Sequence, residues 1–489
     1  MRAAGCVARR RRSRGCAGLS SDDSPRARGP RPSAGGRARA DAVTVAGLAE
    51  RIRLGELSPR EAVQSALVAI ESASGLNAFI SLRGEEALAE AEHAPEGPLR
   101  GVPVAIKDVI DVAGVPTTAA SEILRGKVAA RDAEVVARLR EAGAVVVGKL
   151  NTHEFAYGAL TTSPHFGPAR NPWAVERVCG GSSGGSGAAV AAGLVPATLG
   201  TDTAGSVRIP ACFCGVTGLR PSIGLVSNDG VVPVSWTFDT VGPLARTAED
   251  CSLLLEALAP TYRAEPGGGV AGIRVGVVEE LFDRAEPEIA ARARDAVRVL
   301  ETLGAHVEPL AVPLLQESGT IVQAIMLPEA AQAHLGWLRT RLSDYGPDVR
   351  ARLLAGLLLP STAHVTGLRA RQLFLRELQP VFDRHDVLVH PGMPVLPPPI
   401  GEETVVLHGE TLPYRLALIP FNSQWTLAGS PVASIPCGLV DDLPVGLAIA
   451  GRAGADATVL RAAAAFQGAT DWHERKPDPA RWSASALAR

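Results

Sequence analysis

The stretch GGSSGGSG at residues 180–187, with AAVAAGLVPATLGTDTAGSVRIP at residues 188–210, decides the fold of this 489-residue chain. Taken alone, the octapeptide is typical of a flexible spacer, because glycine and serine have no apolar surface to bury. The segment after it is apolar and rich in small residues, which is typical of a protein interior. A glycine-rich stretch beside a core indicates a turn where the backbone approaches other atoms closely.

Short apolar segments alternate with amphipathic ones around this stretch. VPVAIKD at residues 102–108 and AVVVGKLN at residues 144–151 are typical of buried strands, and DAEVVARLREAG between them has helical spacing. Strand, helix and strand in this order predict a parallel sheet covered by helices. We therefore expect an α/β fold with a large, mostly parallel mixed β-sheet and helices on both faces.

The remaining elements follow from the same patterns and show no internal repeat or dividing linker. They are a helix starting at Ser58-Pro59, a small-residue helix at 187–192, a strand at 196–202, helices at 245–260 and 284–303, a strand at 272–278, long amphipathic helices between 314 and 385, a Pro-rich loop at 390–403, and final strands at 430–439 and 444–451. We expect one domain over residues 43–476 and a C-terminal tail over residues 477–489.

The head of the chain differs in composition from the rest. Residues 1–40 contain eleven Arg and two Asp, a charge of +9, and because the whole chain carries −2 the remainder carries −11. The head has almost no large apolar residues to offset the entropy of ordering, so we expect a disordered basic N-terminal extension over residues 1–42.

The composition also excludes several classes of protein. With 46% hydrophobic and 20% charged residues, the chain gives no argument for binding nucleic acid or a membrane, and it has no run of 18 apolar residues. Seven scattered Cys without CxxC pairs favour free thiols and a cytoplasmic location. No metal or cofactor is expected, since the ten His form neither an HExxH motif nor a His-Cys cluster.

Two other interpretations of the octapeptide, as a phosphate-binding loop and as a nucleophile elbow, are weak. A phosphate-binding P-loop needs a Gly-Lys-Ser/Thr ending, and no Lys is present. Gly180, Ser182 and Gly184 satisfy the G-x-S-x-G pattern of a nucleophile elbow, but that elbow needs a buried strand directly before it and the preceding residues are ARNPWAVERVC.

A serine nucleophile with a lysine base is the stronger interpretation. Ser206 lies 24 residues after Ser182, and the strand ending at Lys107 delivers an amine to a sheet edge. A Ser hydroxyl needs a neighbour that takes its proton, and a Lys can do so only when neutral. Burial in an apolar site can lower the pKa of a Lys from about 10.4 to near 7.5, which takes about 4 kcal/mol. The alternative is a surface Lys beside Asp108.

The turn Thr203-Ala204-Gly205-Ser206 adds the second requirement of acyl transfer. Successive small residues can direct their backbone N–H groups at one point and form an oxyanion hole. Asp202 and Arg208 flank the turn and are expected to pair and brace it.

The segments GVPVAIKD, GGSSGGSGAAVAAGLVPATLGTDTAGSVRIPACFCGVTGLRPS and GVVPVSWTFDTVGPLARTAED resemble the amidase signature family, from about Val43 to Lys476. The resemblance implies a Ser-cisSer-Lys triad, no cofactor, and a set of site residues. They are the nucleophile Ser206, the bridging Ser182 with a cis bond to Gly181, the base Lys107, the oxyanion donors Thr203, Ala204, Gly205 and Ser206, and the supporting Ser183, Asp202 and Arg208. Ala204 departs from the commoner Gly at this position and leaves the backbone donor intact.

The resemblance implies an amidase that hydrolyses a small-molecule carboxamide, and a homodimer is common in the family. The alternatives are the A subunit of glutamyl-tRNA(Gln) amidotransferase, which works with partner subunits, an allophanate- or ureido-type hydrolase, and a non-catalytic binding protein with the same fold. Tyr157, Phe166 and Trp236 are candidates for an apolar substrate pocket, although core packing explains each equally well.

Overall fold

The computed structural model describes residues 44–265 and 268–482. The expected basic extension at residues 1–42 lies outside the described residues. The expected C-terminal tail is described as far as Trp482, whose side chain is buried in a cluster of small apolar residues, so this part of the tail is packed. Among the described residues, no helix is long and apolar enough to cross a membrane.

Eleven of the described strands form one sheet, in the order β1-β3-β2-β8-β10-β9-β16-β17-β13-β11-β12. The strands are β1 (Phe79–Leu82), β2 (Pro103–Lys107), β3 (Val145–Leu150), β4 (Thr162–Ser163), β5 (Gly167–Pro168), β6 (Arg170–Asn171), β7 (Ala174–Val178), β8 (Ala197–Asp202), β9 (Thr217–Arg220), β10 (Thr240–Ala245), β11 (Arg274–Val278), β12 (His306–Leu310), β13 (Val387–Pro391), β14 (Thr404–Leu407), β15 (Glu410–Pro413), β16 (Val432–Val440) and β17 (Leu443–Gly451).

The α-helices of the described residues are α1 (Val45–Arg53), α2 (Pro59–Ser72), α3 (Gly84–Glu92), α4 (Glu134–Glu141), α5 (Gly184–Ala191), α6 (Arg208–Cys214), α7 (Ala248–Leu258), α8 (Glu279–Arg284), α9 (Pro287–Thr302), α10 (Ser318–Ala333), α11 (Leu335–Thr340), α12 (Pro347–Leu358), α13 (Ser361–Arg384), α14 (Tyr414–Leu418), α15 (Ser423–Ala428) and α16 (Asp456–Ala469). Helix α2 begins where expected, because Ser58 and Glu61 form a capping box around its first turn.

The expected α/β class with a large mixed sheet is confirmed. Parallel pairing, which the strand-helix-strand pattern predicts, joins β3, β2 and β8 in one block and β13, β11 and β12 in another. The six pairs that link or border these blocks are antiparallel. One sheet thus uses strands from Phe79 to Gly451, which is consistent with the single domain expected at residues 43–476.

The sheet has an apolar core on each face. Val104 and Ile106 of β2 belong to one buried cluster with residues of α4 and α7, whereas Ala105 between them belongs to a second cluster with residues of α3 and α5. Successive side chains of a strand point to opposite faces, so a strand that is apolar throughout must be covered on both sides. This explains why the predicted strands are continuous apolar runs.

Two predicted helices differ in extent from the observed ones. The small-residue helix expected at residues 187–192 begins three residues earlier, at Gly184, so half of the octapeptide is helical. The helix expected at 284–303 is α9 and begins three residues later, at Pro287, because Ala285 has extended backbone and α8 ends at Arg284.

The glycines of the octapeptide are needed because backbone packs against them. A Cβ on Gly185 would lie 2.5 Å from the carbonyl oxygen of Ala78 and 2.6 Å from that of Asn151. A Cβ on Gly181 would lie 2.6 Å from the backbone nitrogen of Leu160. The stretch is therefore a closely packed element of the core and not a spacer.

Gly185→Ala is expected to lower the free energy of unfolding by about 1–3 kcal/mol, because the new methyl group must displace backbone. Urea unfolding measures this change. Gly468→Ala in α16 is the control, since its Cβ would meet no atom within 4 Å, and Ala in a helix is about 0.5–1 kcal/mol more favourable than Gly. A free energy of unfolding of Gly185→Ala equal to that of the wild type would contradict the packing argument.

Candidate active site

Neighbouring strands bring the predicted site residues to one edge of the sheet. Strand β2 ends at Lys107 and β8 ends at Asp202, and the two strands are parallel neighbours, so both ends point the same way. The turn before α5 carries Ser182, and the turn after β8 carries Ser206. The pairing of β2 with β8 therefore brings motifs that are distant in the chain close together in space.

Lys107 is completely buried and surrounded by hydroxyl groups. Its Nζ lies 2.7 Å from Ser182 Oγ, 2.9 Å from Ser183 Oγ and 2.8 Å from Thr201 Oγ1. Burial lowers the pKa of Lys107 to about 7, and the nearby Asp202 and Asp239 carboxylates oppose this shift. The amine therefore exists in appreciable neutral fraction near neutral pH.

Asp108 is not the partner of Lys107. Its carboxylate lies 2.9 Å from Nζ of Lys149, in a wholly buried ion pair, and also accepts hydrogen bonds from the N–H and hydroxyl of Thr118. The alternative of Lys107 as a surface lysine beside Asp108 is thus wrong.

The turn of Ser182 is held by backbone and by Thr161. The Gly181–Ser182 peptide bond is cis, as expected. The carbonyl oxygen of Ser182 accepts a hydrogen bond from the N–H of His153 at 3.2 Å, and Thr161 Oγ1 accepts one from the N–H of Gly184 at 3.0 Å. These contacts fix the Ser182 hydroxyl on the Lys107 side of the turn.

Ser183 joins the two serine-bearing turns. Its N–H donates to the carbonyl oxygen of Ser206 at 3.2 Å, and its hydroxyl donates to the carbonyl oxygen of Thr201 at 3.2 Å. The Ser183 hydroxyl thus has an acceptor, so it accepts from Lys107. The hydroxyl that donates to the lone pair of the neutral amine is that of Ser182 or Thr201.

Asp202 is the centre of the second turn. Its carboxylate pairs with Arg208 Nη2 at 2.9 Å and with Arg220 Nη1 at 2.9 Å, and it accepts the N–H of Val207 at 3.1 Å. The two guanidinium groups and these donors hold its pKa well below the usual range, despite complete burial. Asp202 and Arg208 brace the turn as predicted, and Arg220 is an additional partner.

The predicted oxyanion donors do not all have free N–H groups. The N–H of Gly205 donates to Asp202 Oδ1 at 2.9 Å, whereas within the described residues no hydrogen bond is formed by the N–H of Thr203, Ala204 or Ser206. Gly205 has a φ of +116°, and a Cβ there would lie 2.7 Å from the side chain of Asn422. The turn thus needs glycine at 205 for shape, and the free donors are its neighbours.

The three pocket candidates lie in different surroundings. Tyr157 is buried with the Arg352 guanidinium 4.3 Å above its ring, Phe166 is half-buried under Arg125, and Trp236 is 56% exposed. A cavity of about 590 Å³ beside the Ser182 turn is lined by 19 residues, none of which is one of these three. Their role in substrate binding stays a prediction.

Sequence reasoning missed Thr201, Arg220, Asp239 and Asn422. Thr201, Arg220 and Asp239 lie inside the segments that carry the family resemblance, and the alternation of β8 and β9 was the available signal for Thr201 and Arg220. Asn422 lies more than 200 residues from the turn it contacts, and its own segment carries no motif.

Within the described residues, no group of three His, Cys, Asp or Glu side chains could hold a metal ion.

A mixed sheet with a buried lysine at one edge, faced by two serine-bearing turns, defines an α/β protein of the amidase type. The model of the Amidase family matches residues 61–460, and the chain belongs to that family.

Known relatives include hydrolytic enzymes as well as one component of an amidotransferase. The chain is 37% identical to the A subunit of glutamyl-tRNA(Gln) amidotransferase from Roseiflexus sp. (strain RS-1), over 89% of this chain and 98% of the relative. Among solved structures, it resembles an amidase (TM-score 0.83, 33% identity, 87% of this chain and 100% of the other). It also resembles 6-aminohexanoate cyclic dimer hydrolase (TM-score 0.82, 29% identity, 90% of this chain and 100% of the other).

Arg208→Lys is expected to lower the free energy of unfolding by about 2–3 kcal/mol, because Lys cannot reproduce the paired contacts to the buried Asp202. Thermal or urea unfolding measures the loss. Arg274→Lys is the matched control, since Arg274 pairs with Asp386 at the surface, and its substitution should leave stability unchanged. Equal effects of the two substitutions would argue against Asp202 as the brace of the turn.

Proposed function

We propose that the protein hydrolyses a carboxamide C–N bond through an acyl-enzyme on Ser206, with Ser182 as the bridging hydroxyl and Lys107 as the base. The observation that carries this proposal is the buried Lys107, whose Nζ lies 2.7 Å from Ser182 Oγ and whose pKa is lowered to about 7. A neutral amine in contact with a serine hydroxyl is what a serine nucleophile requires.

The proposed proton path starts from the hydrogen bond between Lys107 and Ser182 and extends to Ser206 on the facing turn. Neutral Lys107 takes the proton of the Ser182 hydroxyl as Ser182 takes that of Ser206, and the Ser206 oxygen forms a bond to the substrate carbonyl carbon. The carbonyl oxygen becomes an oxyanion, which the N–H groups of Ala204 and Ser206 stabilise. The C–N bond then breaks, and the proton returns through Ser182 to the departing nitrogen.

Water completes the cycle by the same path. A water molecule adds to the acyl carbon while its proton passes through Ser182 to Lys107. The bond to Ser206 then breaks to release a carboxylic acid, and Lys107 returns the proton through Ser182 to the Ser206 oxygen. No step uses a metal or a cofactor. The products are the carboxylate and either ammonia or an amine.

The electrostatics of the site favour this role for Lys107. A pKa lowered from 10.5 to about 7 corresponds to about 5 kcal/mol in favour of the neutral form. Asp202 supplies negative charge nearby, but its two arginine partners compensate that charge. Burial therefore brings the pKa of Lys107 to about 7 while its contacts to three hydroxyl groups are kept.

A second candidate is the A subunit of an amidotransferase, which acts with partner subunits. The identity of 37% over 98% of the A subunit of a glutamyl-tRNA(Gln) amidotransferase favours it. Both candidates share the amide chemistry, and they differ in whether the chain works alone and whether ammonia is released or passed on. We favour a free amidase that acts on a small molecule, alone or as a homodimer. We place it in the cytoplasm, where the five described cysteines, all buried and unbridged, would remain thiols.

The rate is expected to fall at acid pH because Lys107 must be neutral to accept a proton. With a pKa of about 7, kcat/KM should rise about tenfold per pH unit below pH 6.5 and level off above about pH 7.5. The pH dependence of kcat/KM, measured with an amide that the protein hydrolyses, tests this expectation. Lys107→Ala should abolish activity, whereas Lys127→Ala, at a surface pair with Asp111, should retain it. A pH-independent rate between pH 5 and 8 would exclude the proposed base.

A serine-directed phosphonate is expected to label Ser206, since the labelling uses the same activated hydroxyl as catalysis. Mass spectrometry of the digested protein locates the adduct. Ser206→Ala should remove it, Ser182→Ala should slow its formation, and Ser186→Ala in α5 should leave it unchanged as the control. Absence of an adduct on Ser206, together with no ammonia or amine from a panel of amides, would overturn the proposal.

The same panel separates the two candidates. Release of ammonia or amine by the purified chain alone supports a free amidase. Release that is confined to glutamine and requires an added amidotransferase partner supports the second candidate.

A further inference from the structure

We propose that Asp239 is a positioning residue for the reaction, that it holds the oxyanion turn through Thr203, and that Glu329 of α10 locks Asp239 in place. The inference rests on the proposed function, because it concerns the same turn and the same base. Neither residue belongs to the motif at residues 180–210, and Glu329 comes from a helix in the part of the chain without any motif.

Asp239 connects the oxyanion turn to the loop before β10. Its Oδ1 accepts the hydroxyl of Thr203 at 2.5 Å, and its Oδ2 accepts the N–H groups of Val234 at 2.9 Å and Ser235 at 3.0 Å. Thr203 is the first residue of the turn that carries Ser206. A shift of Asp239 would therefore move the backbone that stabilises the oxyanion.

Glu329 holds the same loop from the other side. Its carboxylate accepts the hydroxyls of Ser235 and Thr237, the latter at 2.5 Å, and the N–H of Thr237 at 3.3 Å. Ser235 is shared, because its N–H binds Asp239 and its hydroxyl binds Glu329. Both carboxylates are buried, and His364 of α13 lies 3.4 Å from Glu329.

The two carboxylates together hold the loop before β10 through five hydrogen bonds. Ser235 and Thr237 are both held, whereas Trp236 between them is 56% exposed. The hydrogen bonds of Asp239 and Glu329 link α10 to Thr203 through one continuous path. A reacting geometry that tolerates little displacement depends on such support, because a misplacement of about 1 Å can lower a rate about 100-fold.

Asp239 also lies near the proposed base, because the adjacent Thr240 pairs with Asp202 at the end of β8, the strand beside β2. The charged groups around it are Lys107 of β2, Asp202 of β8 and Arg220 of β9, with Glu329 behind the loop. The carboxylate of Asp239 raises the pKa of Lys107 and thus opposes the effect of burial. Burial raises the pKa of Asp239 itself to about 6, so it is largely ionised when Lys107 titrates. Removal of this charge must lower the pKa of Lys107.

Asp239→Asn tests both effects in the full-length protein. We expect kcat to fall about 10- to 100-fold with KM changed less than about threefold, since the turn acts on the transition state. The acid limb of the kcat profile should move to lower pH. Glu329→Gln should lower kcat less and leave the limb in place, because Glu329 does not face Lys107.

The matched control is Asp250→Asn in α7. Asp250 is also a buried carboxyl with its pKa raised to about 6, and it accepts the N–H of Ala46 in α1 at 3.0 Å instead of a group in either serine-bearing turn. Its substitution should lower stability without altering kcat or the pH profile. An equal loss of kcat in Asp239→Asn and Asp250→Asn would reduce the role of Asp239 to general stability and overturn the proposal.

A second measurement separates this inference from the proposed function. The chain has only four lysines, so ¹³C-lysine labelling and NMR titration can follow Lys107 without any activity, with Lys107→Ala used for assignment. Asp239→Asn should shift its titration to lower pH, and an unchanged titration would overturn the electrostatic part.

Thr203→Val tests the positioning part if Asp239→Asn does not fold. It removes only the hydroxyl, so kcat should fall with KM kept. Wild-type kcat in Thr203→Val, in a protein that the phosphonate labels on Ser206, would overturn the positioning role while leaving the proposed function intact. A wild-type protein that is neither labelled nor active would instead overturn the proposed function.

Discussion

The site depends on one constraint, the burial of a lysine amine at the end of β2. A charged ammonium in an apolar interior is strongly disfavoured unless it is paired, and Lys107 has three hydroxyl groups around it in place of an ion-pair partner. The result is an amine that loses its proton near neutral pH. Burial also lowers the pKa of the neighbouring Lys149, but its ion pair with Asp108 opposes that shift. Lys107 differs in that its direct hydrogen-bond partners are hydroxyl groups and not a carboxylate.

The need to pack hydroxyls around this amine explains the glycines. Ser182 and Ser183 can reach Lys107 only if their turn lies against the backbone of residues 160–161 and the helix after it lies against residues 78 and 151. Side chains at Gly181 and Gly185 would prevent this approach. The octapeptide is flexible in the unfolded chain because close backbone packing in the folded protein requires glycine at these positions.

Much of the fold and the centre of the site could be predicted from sequence, because local signals determined them. Apolar runs marked β2, β3 and β8, and Lys107 ends the first of them. The serines and the Asp202–Arg208 pair lie in or beside small-residue turns. The rest depends on contacts between distant segments. Asn422 and Glu329 are ordinary polar residues whose partners lie about 90 to more than 200 positions away, and no periodicity indicates such a pairing. The sequence also does not reveal that the Gly205 N–H donates to Asp202, because it shows only that a donor exists.

The distribution of contacts also suits a chain that is similar both to a component of an amidotransferase and to a cyclic-dimer hydrolase. The proposed amide chemistry uses β2, β8 and the two turns between residues 180 and 208. Helices α10 to α13 carry no motif, yet Glu329 of α10 is bonded to the loop that contacts Thr203. A change in these helices can therefore alter the geometry of the oxyanion turn without altering any residue of the motif, and selection for a new substrate can act there while the proton path is kept.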